Sequence, residues 1–203
     1  MIKSYDPDYA YSGEKVLGTD LTDDGAYPLN IDSASAYFAT TPVMNLKYFD
    51  RIKLTLWKWN YIEPQDNASI DISIDGGSTW TQVWLSQVSG QLPEFLWNDL
   101  YLYNEINNLA KRQANVRFRF AINYSDNNNA YVGWNIDNFA VTGEYLTNDL
   151  GITNIILPCD DCIKTGDDEI KVVVRNYAAI PSPANTPIFF SLNGSQGPKI
   201  YDT

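Results

Sequence analysis

The stretch Arg51-Ile52-Lys53-Leu54-Thr55-Leu56-Trp57-Lys58-Trp59-Asn60-Tyr61 decides the fold class. Ile52, Leu54 and Leu56 recur at every second position, the spacing of a strand with one buried face. Apolar character then moves to the other parity with Trp57, Trp59 and Tyr61. That switch predicts either a bulge near Leu56–Trp57 or a stretch covered on both sides. A second segment, Ser69-Ile70-Asp71-Ile72-Ser73-Ile74-Asp75, alternates with three isoleucines inward and Asp71, Ser73 and Asp75 outward. The two segments read as limbs of one hairpin running from Arg51 to Leu85. Gly76 and Gly77, which accept the positive φ of a tight turn, then lead into a further strand from Trp80. A Trp-rich sheet face of this length needs a second sheet to cover it, so the expected fold is an all-β sandwich.

Working outward, the neighbouring segments fit that frame. Gly13 to Asp20 reads as a short strand flanked by glycines, and Ala36 to Thr40 as another, ended by Thr41-Pro42. Leu100 and Leu102 alternate with Tyr101 and Tyr103. Val116, Phe118, Phe120 and Ile122 alternate with Arg117 and Arg119, which predicts a half-buried strand whose arginines face solvent or a carboxylate. Glu105 to Gln113 carries the one plausible helical turn. Tyr131 to Val141 reads as a last strand, with Gly133 at a bulge or a close approach.

Composition narrows the function. The 203 residues carry 14 basic and 25 acidic side chains, a net charge of −11, which disfavours nucleic acid and anionic membrane surfaces as partners. With no histidine, a Ser-His-Asp or Cys-His relay and a His-based zinc site are all excluded. No apolar run approaches the roughly 20 residues of a membrane helix, so no membrane span is expected. The first residues lack the apolar core of a signal peptide, so either the signal was removed or the chain is an excised piece.

Four motifs along the first two thirds carry a resemblance. Gly13-Glu14-Lys15-Val16-Leu17-Gly18-Thr19-Asp20-Leu21 resembles a "G-x-x-V-x-G-T-N-L" opening, and Leu54 to Trp59 through Glu63 an "L-x-F-x-x-W…E" strand. Ser73 to Trp80 matches "S-x-D-G-G-x-T-W", and Gly133-Trp134-Asn135-Ile136-Asp137-Asn138 a closing "G-W-x-I-D-D" with Asn138 in place of the second Asp. Together they resemble the MAM-like jelly-roll module that accompanies immune-inhibitor-A-type metalloproteases, subtilisin-like proteases and gliding-bacterium surface proteins. The resemblance implies an antiparallel jelly-roll β-sandwich over residues 1–146. It also implies a structural calcium where the first strands approach the last, with Glu63, Asp66 and Asp137 at the matching motifs. Asp20, Asp23 and Asp24 form a second acidic cluster in a turn, either solvated or a further supply of carboxylate oxygens.

After Tyr145 the character changes. Residues 147–203 are similar to an immunoglobulin-like module of the CARDB type, with strands expected at Ile170 to Asn176 and Ile188 to Leu192. Such a sandwich needs about seven strands over about 100 residues, so a partial immunoglobulin-like β-sandwich is expected, followed by neighbouring domains of a longer chain. Cys159 and Cys162 supply only two metal ligands in a chain without histidine, so a small loop disulfide in an oxidising compartment is the expectation.

The turn at Asp75, Gly76, Gly77 and Trp80 matches a single Asp-box, whose carboxylate is expected to take backbone N–H groups while the indole packs beneath. Glu63 with Asp66, or Asp71 with Glu94, have the residue types of a glycosidase acid–base pair, but nothing in the sequence brings them together. Trp57, Trp59 and Trp84, with Trp97 beside them, form either a sugar-stacking platform or sandwich core. The expectation is a non-catalytic accessory or adhesion segment of a larger secreted or cell-surface bacterial protein, bound to a protein or glycan surface ligand. The alternative is a carbohydrate-binding module attached to a secreted hydrolase.

Overall fold

The structure, a computed structural model, describes residues 7–19, 21, 36–63, 66–86, 96–123, 133–147, 149–156, 171–184, 186–189, 191–192, 195–196 and 200–201. Two units divide the chain, Met1–Glu144 and Tyr145–Thr203. The described strands of the first are β1 (Leu17–Gly18), β2 (Ala36–Thr40), β3 (Phe49–Tyr61), β4 (Asn67–Ser73), β5 (Thr81–Leu85), β6 (Asn98–Leu102), β7 (Arg117–Asn123) and β8 (Gly133–Tyr145). A short helix, α1 (Asn104–Ala110), lies between β6 and β7.

Among the described residues these strands sort into two four-stranded sheets, ordered β1-β8-β3-β6 and β2-β7-β4-β5. First pairs with last, second with second-last, and so inward to β4 with β5, each pair antiparallel. This is the nested order obtained by rolling one long hairpin over two sheets, the jelly roll. The fold class is therefore an all-β antiparallel sandwich, as the alternation predicts.

Ile52, Leu54 and Leu56 of β3 face Ile70 and Ile72 of β4 and Phe118 of β7 within one buried core. Each such side chain contributes about 1.5–3 kcal/mol on leaving water. The helix closes one end of this core with Ile106 and Ala110, and Asn107 Oδ1 accepts the Ile52 backbone N–H at 3.0 Å.

Two sequence expectations need correction, and a third resolves to one of its alternatives. β3 and β4 are not limbs of one hairpin: β3 lies between β8 and β6, and β4 between β7 and β5. Alternation fixes which face of a strand is buried but leaves the choice of neighbour open. No bulge interrupts β3 at Leu56–Trp57 in its pairing with β6, where the register runs unshifted from Leu54↔Leu102 to Lys58↔Asn98. The stretch is instead covered on both faces. The isoleucines are not all inward either, since Ile74 follows the end of β4 and is 41% exposed. Conversely, Ser69, Asp71 and Ser73 are buried, because β4 is a central strand whose outer face is also covered.

The first and last strands are clasped by the two outermost motifs. Leu17 pairs with Ile136 and Gly18 with Asn135. Beyond that pair, Thr19 N–H donates to the Trp134 carbonyl at 3.1 Å, and Trp134 N–H donates to Thr19 Oγ1 at 2.9 Å. Gly133, at φ +91°, lets the backbone approach so closely that a Cβ there would stand 2.8 Å from the Thr19 Cβ.

The second unit contains β9 (Leu150–Ile156) paired antiparallel with β10 (Lys171–Asn176) and shifted in register between Val173 and Val174. Ile152, Ile155, Ile156 and Val173 of this pair remain exposed. Shorter antiparallel pairs join Pro187–Ile188 to Ile200–Tyr201 and Ser191–Leu192 to Ser195–Gln196. Cys159 and Cys162 lie outside the described residues, as do Asp20, Asp23 and Asp24.

Replacing Gly133 by Ala should lower stability by about 1–3 kcal/mol through overpacking against Thr19, with a comparable cost from the positive φ. Chemical denaturation of the two proteins measures this. A loss under half a kcal/mol would mean that the clasp yields without cost.

Candidate functional site

Burial of Ile52, Leu54 and Leu56 forces their neighbours Arg51, Lys53, Thr55, Trp57 and Trp59 onto the opposite, outer face of the first sheet. That face has two halves. In the half around Trp57 and Trp59, Tyr11 stacks on Trp57 with ring centroids 3.7 Å apart and planes 12° from parallel. Trp97 stands edge-on to Tyr11 at 6.4 Å and to Trp59 at 6.1 Å, and its Nε1–H donates to the Tyr9 carbonyl at 3.3 Å. Trp59 is left 8% exposed.

A sugar-stacking platform needs a free ring face, and Tyr11 occupies one face of Trp57. Trp84 is not part of this group. It stands on β5 in the other sheet, tilted against Trp134 at 5.4 Å with Lys58 Nζ 5.8 Å from its ring. The structure thus brings Trp57 and Trp59 together with Trp97 and Tyr11, and places Trp84 among Trp134 and Lys58.

In the other half the face is open. Arg51, Lys53, Tyr101, Tyr103, Thr142 and Glu144 line a recess of about 370 Å³. That volume lies within the range of small-molecule sites. Arg51 donates from Nη1 to Glu144 Oε1 at 3.1 Å. Its backbone has φ +51°, and its N–H donates to Asp50 Oδ1 at 2.7 Å. Tyr101, opposite Thr55 in the β3–β6 register, is 56% exposed. Sequence reasoning missed this site, although Arg51-Ile52-Lys53-Leu54 already sets two cations on one face between buried aliphatics.

On the outer face of the second sheet, the Arg119 guanidinium sits 4.6 Å from the Trp80 ring centroid and 5.4 Å from that of Phe38. Its Nε donates to Asp71 Oδ2 at 2.7 Å. Asp71 is therefore held by a cation between strands, and its suggested catalytic partner Glu94 lies outside the described residues.

The carboxylates expected at calcium come from two stretches, the end of β3 with the residues after it and the middle of β8. Glu63 and Asp66 are both buried, joined through a bond from Asp66 N–H to the Glu63 carbonyl at 2.9 Å. Asp137 lies within β8, where Oδ2 accepts from Ser12 N–H at 2.9 Å and Oδ1 from Asn138 N–H at 2.6 Å. Asn138 has φ +50° and accepts the Ser12 hydroxyl on Oδ1 at 2.6 Å. Among the described residues no three acidic or cysteine side chains are grouped to hold a metal ion.

The turn at Asp75 is built from its own side chains. Asp75 Oδ1 accepts from Thr79 N–H at 2.9 Å and from the Ser73 hydroxyl at 2.7 Å, and Oδ2 from the Thr79 hydroxyl at 2.6 Å. Gly76 and Gly77 take positive φ, and Trp80 Nε1–H donates to the Gly77 carbonyl at 3.0 Å. The hydroxyl and the N–H of Thr79, then the Ser73 hydroxyl, hold the Asp75 carboxyl well below the usual carboxylate range.

No family model and no curated protein matches the sequence. Among solved structures the chain is similar to TmCBM61, determined in complex with β-1,4-galactotriose, at 12% identity and a TM-score of 0.33. The match covers 54% of this chain and 62% of that one. No helix among the described residues is long and apolar enough to cross a membrane.

Because the folded-state pKa of Asp75 is depressed, its contribution is fully present above the unfolded value of about 4. It is lost as pH falls through the lower folded value. Melting of the wild type and Asp75→Asn from pH 6 downward should show the wild-type advantage shrinking only below about pH 4. An advantage that stays constant down to pH 2 would contradict this assignment.

Proposed function

We propose that the chain is a non-catalytic binding segment, an accessory or adhesion β-sandwich of a larger secreted or cell-surface bacterial protein. In this reading residues 1–146 are a MAM-like jelly roll and residues 147–203 a CARDB-type immunoglobulin-like module. Support for the first assignment comes from the quoted motifs and from the way the opening Gly18-Thr19 and closing Gly133-Trp134 pack on each other. The partner is a protein or glycan on an extracellular surface.

The observation that carries the reading is the outer face of β3. There a polar, open recess lies beside rings that Tyr9 and Tyr11 hold together rather than leave free. A rigid sheet presenting cations and tyrosine rings, with the aromatic half already packed, suits attachment to a surface ligand. The second reading, a carbohydrate-binding module of a secreted hydrolase, is favoured by the exposed Tyr101 ring at that recess. Structural calcium remains attached to the first reading through the motif resemblance alone.

Retention of the purified protein on isolated bacterial cell-wall polysaccharide and on coats of extracellular-matrix protein tests the proposal. The wild type should be retained on at least one of them, with retention weakened several-fold by Tyr101→Ala at unchanged melting temperature. Retention on neither would sink it.

A further inference from the structure

We infer that the recess at Arg51, Lys53 and Tyr101 is a subsite for an acidic saccharide, a sugar unit carrying a carboxylate or sulfate. The inference rests on the glycan-binding reading above and names its substrate class.

The chain carries 14 basic against 25 acidic residues, yet the lining of this recess has two cations and one carboxylate. Glu144 is taken up by Arg51 at 3.1 Å, while Lys53 has no ion-pair partner among the described residues. An ammonium left open in a concave site within an acidic protein is complementary to an anion. A neutral ligand would leave its charge unused. Repulsion from the rest of the surface is screened beyond about 8–10 Å at ordinary salt, so the local balance governs short contacts.

The aromatic lining distinguishes a sugar from other anions. Tyr101 is 56% exposed on the same face as Lys53, and Tyr103 follows it into the recess. A tyrosine ring offers an apolar face for the C–H surface of a pyranose and a hydroxyl for its polar rim. Thr142 and Glu144 on β8 supply a hydroxyl and carboxylate oxygens to the sugar hydroxyls from the opposite wall.

The backbone at Arg51 is the second feature of the recess. Its φ of +51° is a conformation that a long side chain adopts at a cost, and such outliers concentrate at ligand clamps. The Asp50 carboxylate accepts from the Arg51 N–H, and the Glu144 carboxylate meets its guanidinium in a solvent-exposed ion pair. The position of each cation follows from the fold, because Ile52 between them and Leu54 after Lys53 are wholly buried.

The test is affinity electrophoresis of the full chain through native gels containing polygalacturonate, alginate or hyaluronate. The comparison gels contain methyl-esterified polygalacturonate and neutral galactan. At least one anionic polymer should retard the wild type, and Lys53→Gln should weaken that retardation roughly fivefold, the upper end for an exposed ion pair. Tyr101→Ala should weaken it as well. Both positions face outward, so thermal melting should confirm that the variants are folded.

Retardation by neutral galactan alone, or equally by the esterified polymer, would overturn the acidic-sugar inference while leaving glycan binding in place. Retardation by an anionic polymer that Lys53→Gln does not change would also overturn it. Passage through every gel unretarded would overturn it too, and surface retention of the same preparation would then separate its failure from that of the adhesion reading.

Discussion

Ile52, Leu54 and Leu56 on β3 can leave water together only if a second sheet lies across them, and Ile70, Ile72 and Phe118 supply it. Much else follows from that one requirement. It fixes the register of this central strand, since a slip by one residue would expose the whole aliphatic row and bury Arg51 and Lys53. It also fixes the outer face, because every residue between the aliphatics must point away from the core. The site and the core are two sides of one alternation.

The wider sheet is held by longer-range closure. Gly18-Thr19 and Gly133-Trp134 are more than a hundred residues apart, yet they interlock through three backbone and hydroxyl hydrogen bonds. Local sequence sets the two short motifs, but only the nested pairing order brings them together. The Asp75 turn is the opposite case. Ser73, Asp75 and Thr79 satisfy one another within seven residues, so the turn that joins β4 to β5 carries its own geometry.

That contrast accounts for what could be read in advance. Strand positions, the short helix, the close approach at Gly133 and a carboxylate partner for Arg119 were legible because each depends on local pattern or on one residue's chemistry. The pairing of β3 was not, since alternation is silent about neighbours, and two apolar faces meet equally well across a core. The covering of Trp57 and Trp59 was obscure for a related reason: their partners Tyr11 and Trp97 come from distant segments without regular periodicity. Trp84 looked like a member of the same group only by composition. The recess escaped notice because Arg51 and Lys53 read as ordinary solvated positions until Tyr101, Thr142 and Glu144 are placed around them.

The dependence of fold and face on the alternation in β3 is tested most directly by the denaturant-unfolding free energies of Leu54→Ala and Thr55→Ala. Leu54→Ala removes a fully buried side chain and should cost about 2–5 kcal/mol. Thr55→Ala, one residue along and on the outer face, should cost under about 1 kcal/mol. Equal losses, or the larger loss at Thr55, would contradict the assignment of the inner and outer faces and everything placed on them.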